Sequence, residues 1–235
     1  MMIVHCSHHR CGTVWFDRIF RRISRYAGLS YFRGAQSKLP PDTAIFFQDH
    51  SEVTPEELPP HRGTHIRRDP RDVVVSCYFY HLWADEPWLH EPRARFEGMS
   101  YQEKLKSLPE SDGLLLEIEG SGGNTIRNML EWALRERRFL EIRYEDFIAD
   151  EAGEFARIFE HYMLDGSALD AAWLAVEQCR FQRMTGGRRV GEVKEGDHLR
   201  SGNPGSWREH LEGRHLAKME ELFGDVLGVL GYEAS

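Results

Sequence analysis

The chain has 235 residues, 41% hydrophobic and 11% aromatic, enough apolar material for one packed domain and too much for wholesale disorder. Its formal net charge of -8 excludes a surface built to neutralise duplex phosphates, so no nucleic-acid partner is expected, while a local basic site for a small anion stays open. The four cysteines, Cys6, Cys11, Cys77 and Cys179, form no C-x-x-C pair, which argues against a zinc site or a disulfide framework and for reduced thiols in a cytoplasmic protein.

Met2–Cys6 is short, apolar and partly β-branched, as a buried strand is. It is too short for the core of a signal peptide, and no stretch is apolar for long enough to span a membrane. After the tight segment 7–13, Phe16, Ile19, Phe20 and Ile23 recur at helical spacing, with Gly28 as a stop. Thr43–Gln48 predicts a second strand and Gly63–Arg68 a third. Pro70 then opens a helix that continues through Val73–Leu82. Residues 85–98 carry Pro87, Pro92 and Gly98 and predict a loop. Tyr101–Leu108 predicts a short helix. Gly120-Ser121-Gly122-Gly123 predicts a flexible joint, with Asn124 or Thr125 capping a helix over Ile126–Leu134. Arg138–Tyr144 predicts a fourth strand, and helices follow over Glu151–Met163 and Ala168–Gln178. Thr185–Gly205 is rich in glycine and charge, and is expected to stay mobile until something binds; Arg214–Leu230 predicts one last helix.

Strands alternating with helices predict an α/β fold: three layers, α/β/α, around a central, mostly parallel sheet, in a single domain over 1–235, with 85–123 and 185–205 as lid or insertion loops. Ligands of such sheets sit at the carboxyl ends of the strands. Three segments are placed to meet one. His9-Arg10-Cys11-Gly12-Thr13-Val14-Trp15 lies between a strand and a helix, where backbone amides attract an anion. Arg68-Asp69-Pro70-Arg71-Asp72 with Ser76 offers a guanidinium and a hydroxyl. Arg200-Ser201-Gly202-Asn203-Pro204-Gly205-Ser206-Trp207 can wrap an anion with amides. Each also reads as ordinary turn or cap chemistry. G-x-x-x-x-G-K-[ST], the loop of nucleoside triphosphatases, is absent.

Together the three segments resemble the motifs of sulfotransferases that use 3′-phosphoadenosine 5′-phosphosulfate (PAPS): P-K-S-G-T-T-W, R-x-P-x-D-x-x-x-S and R-K-G-x-x-G-x-W, in the same order. Tyr144-Glu145-Asp146 resembles that family's Y-E-D. Cys179-Arg180-Phe181-Gln182-Arg183-Met184 resembles its T-S-F-x-x-M. The resemblance implies a P-loop-like fold. It places Arg10, Cys11, Gly12, Thr13 and Val14 at the 5′-phosphosulfate, and Trp15, Tyr144, Cys179 and Phe181 around adenine. Arg68, Ser76, Arg200, Ser201 and Gly202 fall at the 3′-phosphate. It departs from the family at Cys11 for serine, Val14 for threonine, Ser201 for lysine and Cys179 for threonine.

Sulfuryl transfer needs a base for the acceptor's proton, and a histidine titrates in the right range. The family's base follows its second strand, where this chain has Gln48-Asp49-His50. His50 is therefore the expected base, with Arg10 carrying charge at the reacting centre and His81 as the fallback base. His5, His8 and His9 lack ligand spacing, and no metal is expected. Tyr78, Phe79, Tyr80, Trp83, Trp88, Leu89 and Met99 form an aromatic cluster beside which a small-molecule or glycan acceptor is expected. The alternatives are a kinase-like phosphoryl transferase, disfavoured because no Lys-Ser or Lys-Thr pair is present, and a nucleotide-binding relative that has lost catalysis, kept open by Cys11, Val14, Gln48 and Ser201. Nothing in the sequence fixes an oligomeric state.

Overall fold

Alternation along the first strand decides the architecture. In the computed structural model, which describes residues 1–136 and 138–233, β1 (Met2–Cys6) is buried along its whole length. It stands in the middle of a parallel sheet of order β2 (Tyr31–Arg33), β3 (Ile45–Gln48), β1, β4 (His61–Arg67) and β5 (Leu140–Arg143). Val4 pairs with Phe46 on one side and with Gly63 on the other. The sheet is the α/β frame that the alternating pattern predicts. It has one strand more than expected, because Tyr31–Arg33 is a three-residue edge piece too short to show a period.

The helices, in chain order, are α1 (Thr13–Ala27), α2 (Pro70–His81), α3 (Pro87–His90), α4 (Tyr101–Lys106), α5 (Glu110–Glu119), α6 (Ser121–Arg135), α7 (Tyr144–Ala149), α8 (Glu151–His161), α9 (Gly166–Gln178), α10 (Phe181–Met184), α11 (Trp207–His210), α12 (Gly213–Phe223) and α13 (Val226–Val229). The chain divides into two compact units, Met1–Arg68 with Glu131–Val190, and Asp69–Leu130 with Gly191–Ser235.

The first unit holds the whole sheet. Ile3, Ile45, Phe47, Ile66 and Ile142 face one side, against Phe16, Ile19, Phe20 and Ile23 of α1, Phe155, Ile158 and Phe159 of α8, and Ala172, Ala175 and Val176 of α9. Met2, Val4, Cys6 and Phe46 face the other, against Val53, Trp132 and Phe139. Each large apolar side chain removed from water here contributes roughly 1.5–3 kcal/mol. Gly63 is small by necessity, since a Cβ there would run into the ring of Phe139.

The second unit is helical. α2 packs on α5, α5 on α12, and α11 on α2. Asp69 caps α2 by accepting from the Arg71 amide at 2.9 Å, with Pro70 in the first turn. A capping box of Ser100 and Glu103 starts α4. Three expectations are corrected here. α5 was not anticipated, and α6 begins at Ser121 rather than after a flexible joint. Gly122 and Gly123 lie against the last carbonyls of α5, so their smallness serves a tight corner. The final helix is broken at Gly224, φ 58°, into α12 and α13. Leu89 and Phe96, within the segment read as a loop, are buried.

Candidate active site

The first unit gathers the residues around the carboxyl end of β1. The carbonyl of His8 accepts from the Cys11 amide at 3.0 Å and the Thr13 hydroxyl at 2.8 Å, which bends the chain sharply. Arg10 takes a left-handed conformation, φ 64°, and Gly12 another, φ 86°, as the N-cap of α1. Gly12 has no side chain to cap the helix and the first turn of α1 carries no acidic residue, so the amides at this end keep their positive potential. Tyr144 lies under Gly12, 3.4 Å from where a Cβ would stand. The Arg68 guanidinium lies over the Tyr144 ring at 4.6 Å and donates to the Arg10 carbonyl at 3.1 Å. Arg10, Gly12, Arg68 and Tyr144 are thus one assembly. Cys11 is fully buried, and burial pushes its thiol up to about 12 against the opposing pull of Arg68. It serves as a neutral space-filler rather than a nucleophile.

His50 sits in the turn after β3, where its position relative to the second strand places it. The Gln48 side chain accepts from the His50 amide at 2.7 Å, and Gln48 itself is buried. The Ser7 amide donates to Gln48 at 2.9 Å, and the Ser51 hydroxyl donates to the Ser7 carbonyl at 2.9 Å. Ser7 and Thr13 share a hydroxyl contact at 3.0 Å. Ser7 therefore ties the His50 turn to the Gly12 loop, a role that nothing in its neighbours' identity signals. The His50 side chain is about half exposed, with Asp49 at 3.9 Å.

Of the residues expected around adenine, Tyr144 belongs to the assembly above. Trp15 packs edge-on against Phe147 and Phe155, at 5.5 and 5.6 Å. Cys179 is fully buried in the core at the end of α9, and Phe181 opens α10, with the Arg188 guanidinium 5.6 Å from its ring. His5 and His8 turn to separate partners, Thr64 and His65.

The second unit holds Ser76, Arg200, Ser201 and Gly202. Ser76 lies two turns into α2. Arg200 stacks on Phe79 at 4.0 Å and meets Glu195 at 3.4 Å. Ser201 is buried and Gly202 is left-handed, φ 66°. The expected mobile segment is closed on itself at Gly191 to Ser201, 2.8 Å, and Lys194 to Arg200, 2.9 Å. Its end is fixed by Asp72, fully buried, which accepts from the Gly205 amide at 2.6 Å, the Ser206 hydroxyl at 3.1 Å and the Trp207 amide at 2.9 Å. Arg71 pairs with Asp69 at 2.8 Å and stacks on Trp207 at 3.9 Å. Sequence reading assigned no task to Asp72, although its place in the motif was the available signal. His81, the fallback base, is fully buried and pairs with Glu117 at 2.7 Å.

Residues 62–231 match the family model of the sulfotransferase domain, which is well over half of the chain. The Gly12 loop lies upstream of that match. No curated protein matches the chain. Among solved structures it is similar to the mouse sulfotransferase SULT7A1 complexed with 3′-phosphoadenosine 5′-phosphate (PAP), with a TM-score of 0.62 and 19% identity over 96% of this chain and 83% of that one. It is also similar to retinol dehydratase in complex with androsterone and the inactive cofactor PAP, with a TM-score of 0.57 and 17% identity over 96% and 80%. At such identities the likeness speaks for the fold, which is the P-loop-like one. With the family match and the motif geometry, it follows that this chain belongs to the PAPS-dependent sulfotransferase family and is an enzyme of sulfuryl transfer.

Proposed function

We propose that the chain moves the sulfuryl group of PAPS to a hydroxyl or amine of a small-molecule or glycan acceptor and releases PAP. The observation that carries this reading is the Gly12 assembly: a helix start without a side-chain cap, the Arg68 guanidinium held on the Arg10 carbonyl beside it, and the Tyr144 ring beneath Gly12. The amides after Gly12 and the Arg10 guanidinium receive the charged end of the donor, and Tyr144 packs beneath the loop on the side of its base. The resemblance assigns the 3′-phosphate to Arg68, Ser76, Arg200, Ser201 and Gly202. Cys11, Val14, Trp15, Cys179 and Phe181 line the donor by backbone or packing.

His50 accepts the acceptor's proton as its oxygen attacks sulfur, and Arg10 offsets the charge that develops on the leaving phosphate. Gln48, turned to hold the His50 amide, supplies no cation, so Arg10 carries that task alone in the turn–loop pair. Retinol dehydratase binds androsterone in its solved complex, which supports an apolar, hydroxyl-bearing acceptor near the aromatic cluster Tyr78–Trp88. The four cysteines are free, which supports a reducing, cytoplasmic setting. No described helix is long and apolar enough to cross a membrane.

The test is a thermal melt with PAP, ADP and ATP–Mg²⁺. PAP at a hundredfold over its dissociation constant adds about 2.7 kcal/mol, which for this length raises the midpoint by roughly 5–10 °C. A shift with PAP and none with ADP is expected. A shift with ATP–Mg²⁺ alone would turn the reading to phosphoryl transfer. With PAPS and an acceptor found by screening, His50→Ala is expected to lower turnover by about two to four orders of magnitude while leaving the PAP shift intact.

A further inference from the structure

Behind the Gly12 loop runs a line of hydrogen bonds, buried at its two histidines and part-exposed at its carboxylate, that the reaction as described does not use. The His8 ring, 1% exposed, meets the His65 ring Nε2 to Nε2 at 2.8 Å. His65, also 1% exposed, lies on the Trp132 ring with centroids 4.5 Å apart, and its Nδ1 is 2.9 and 3.0 Å from the two Glu141 oxygens. Glu141 also accepts from the Trp132 indole at 3.0 Å and from Arg67 at 3.2 Å. A carboxylate facing three donors accepts from each, so His65 carries its proton on Nδ1 and offers a lone pair at Nε2. His8 must then donate from its own Nε2. The same His8, through its carbonyl, holds the Cys11 amide and the Thr13 hydroxyl and so sets the turn that starts α1.

We propose that His8, held by His65 and Glu141, is a positioning residue for sulfuryl transfer: the relay fixes the loop that receives the donor's charged end, and a second extra proton on the two rings releases it. The proposal rests on reading that loop as the donor site. Proton counting gives the rest. With no extra proton the donors run from His8 to His65 to Glu141. With one, His65 is an imidazolium that donates at both nitrogens, and His8 shifts its proton to Nδ1. With two, both Nε2 atoms carry hydrogen and face each other, and the contact at the root of the loop cannot survive. Among the described residues, the groups around the relay include His50 toward His8, His5 toward His65, Arg67 on the Glu141 carboxylate, Arg157 on the Glu141 carbonyl, and Cys6, which feels both Glu141 and Glu136. Burial, with the charges of His65 and His50, also keeps His8 well below its ordinary value, so at neutral pH the relay is intact.

The experiment is calorimetric titration of PAP into the wild type, His8→Phe, Glu141→Gln and His50→Ala from about pH 8 to about pH 5. Titration of PAP itself is common to all four and drops out of the comparison. His50→Ala removes a cation that lowers His8, so its acid limb should move to higher pH. His8→Phe keeps the ring volume and loses the bond, so its affinity should fall roughly three- to tenfold and its acid limb flatten. Glu141→Gln still accepts from His65 but removes the charge that favours the protons, so its acid limb should move about one pH unit lower. Side-chain ¹⁵N spectra of the wild type at neutral pH should show His65 protonated at Nδ1 and His8 at Nε2. Wild-type affinity and acid limb in His8→Phe overturn the proposal, and so does an unmoved limb in Glu141→Gln if His8→Phe fails to fold. PAP that binds no protein at any pH would instead overturn the donor-site reading beneath it, whereas the reverse tautomers would sink the relay alone.

Discussion

Asp72 shows how one side chain can organise a loop that the sequence presents as loose. Its carboxylate is fully buried and takes three donors from residues 205–207. Truncation to Ala would leave two amides and a hydroxyl to find water or stay unpaired. Bonds to a charged group are worth about 1.5–3 kcal/mol each, but the loop can partly rehydrate, so Asp72→Ala should lower unfolding stability by roughly 3 kcal/mol. Protease cleavage within 191–206 should rise at the same time. A loss under about 1 kcal/mol in a urea titration would mean that the Arg71–Trp207 stack holds the segment instead.

Elements were legible where a period or a cap spoke for them. The i, i+3, i+4, i+7 run of α1, the Asp69-Pro70 start of α2 and the apolar strands all formed as the spacing predicts. The α5–α6 corner did not. A run of Gly-Ser-Gly-Gly reads as flexibility, because glycine's freedom is a local property and the close approach that uses its size is not. At Gly123 a Cβ would run into the Ile118 carbonyl and come within 3.2 Å of the Phe223 ring, and the backbone cannot give way. Gly123→Ala should therefore cost about 3 kcal/mol by overpacking. Gly213→Ala is the control. It lies in the first turn of α12 with open space around it, and should be neutral or stabilising by about 0.5 kcal/mol. Equal effects at the two positions would mean that the corner relaxes and that its glycines do serve as a hinge.

At the scale of the whole molecule, the candidate site was legible as three motifs in order, and what joins them to their surroundings was not. Ser7 ties the His50 turn to the Gly12 loop through hydroxyl contacts, and His8 meets His65 across 57 positions of sequence, while His65 in turn meets Glu141 on the next strand. Such contacts depend on the strand order β1-β4-β5, which no local pattern encodes. Their consequence is a global one. His5 and His8 are almost completely buried, and burial, with the charge of His65, lowers both well below the ordinary 6.5. The sign follows from proton counting. Below 6.5 the unfolded chain binds protons at these rings before the folded chain does, so stability is complete above about pH 7 and falls as the pH drops. Each ring contributes a slope of about 1.4 kcal/mol per pH unit, and the two together about 2.7. His161, lowered by burial and by Arg62 and Arg157, steepens the fall. Few carboxylates titrate in this range, so the self-repulsion of a chain with net charge -8 changes little and cannot supply the effect. Urea titrations from about pH 7.5 to about pH 5.5 should therefore show a steep acid loss of stability. His5→Asn keeps a donor near the Nδ1 position that meets Thr64 and cannot titrate, so it should shed about 1.4 kcal/mol per pH unit of slope whatever it does to absolute stability. An unchanged slope in that variant would mean that water reaches the His5 ring in the folded chain, and that the stack with Phe16 does not seal it.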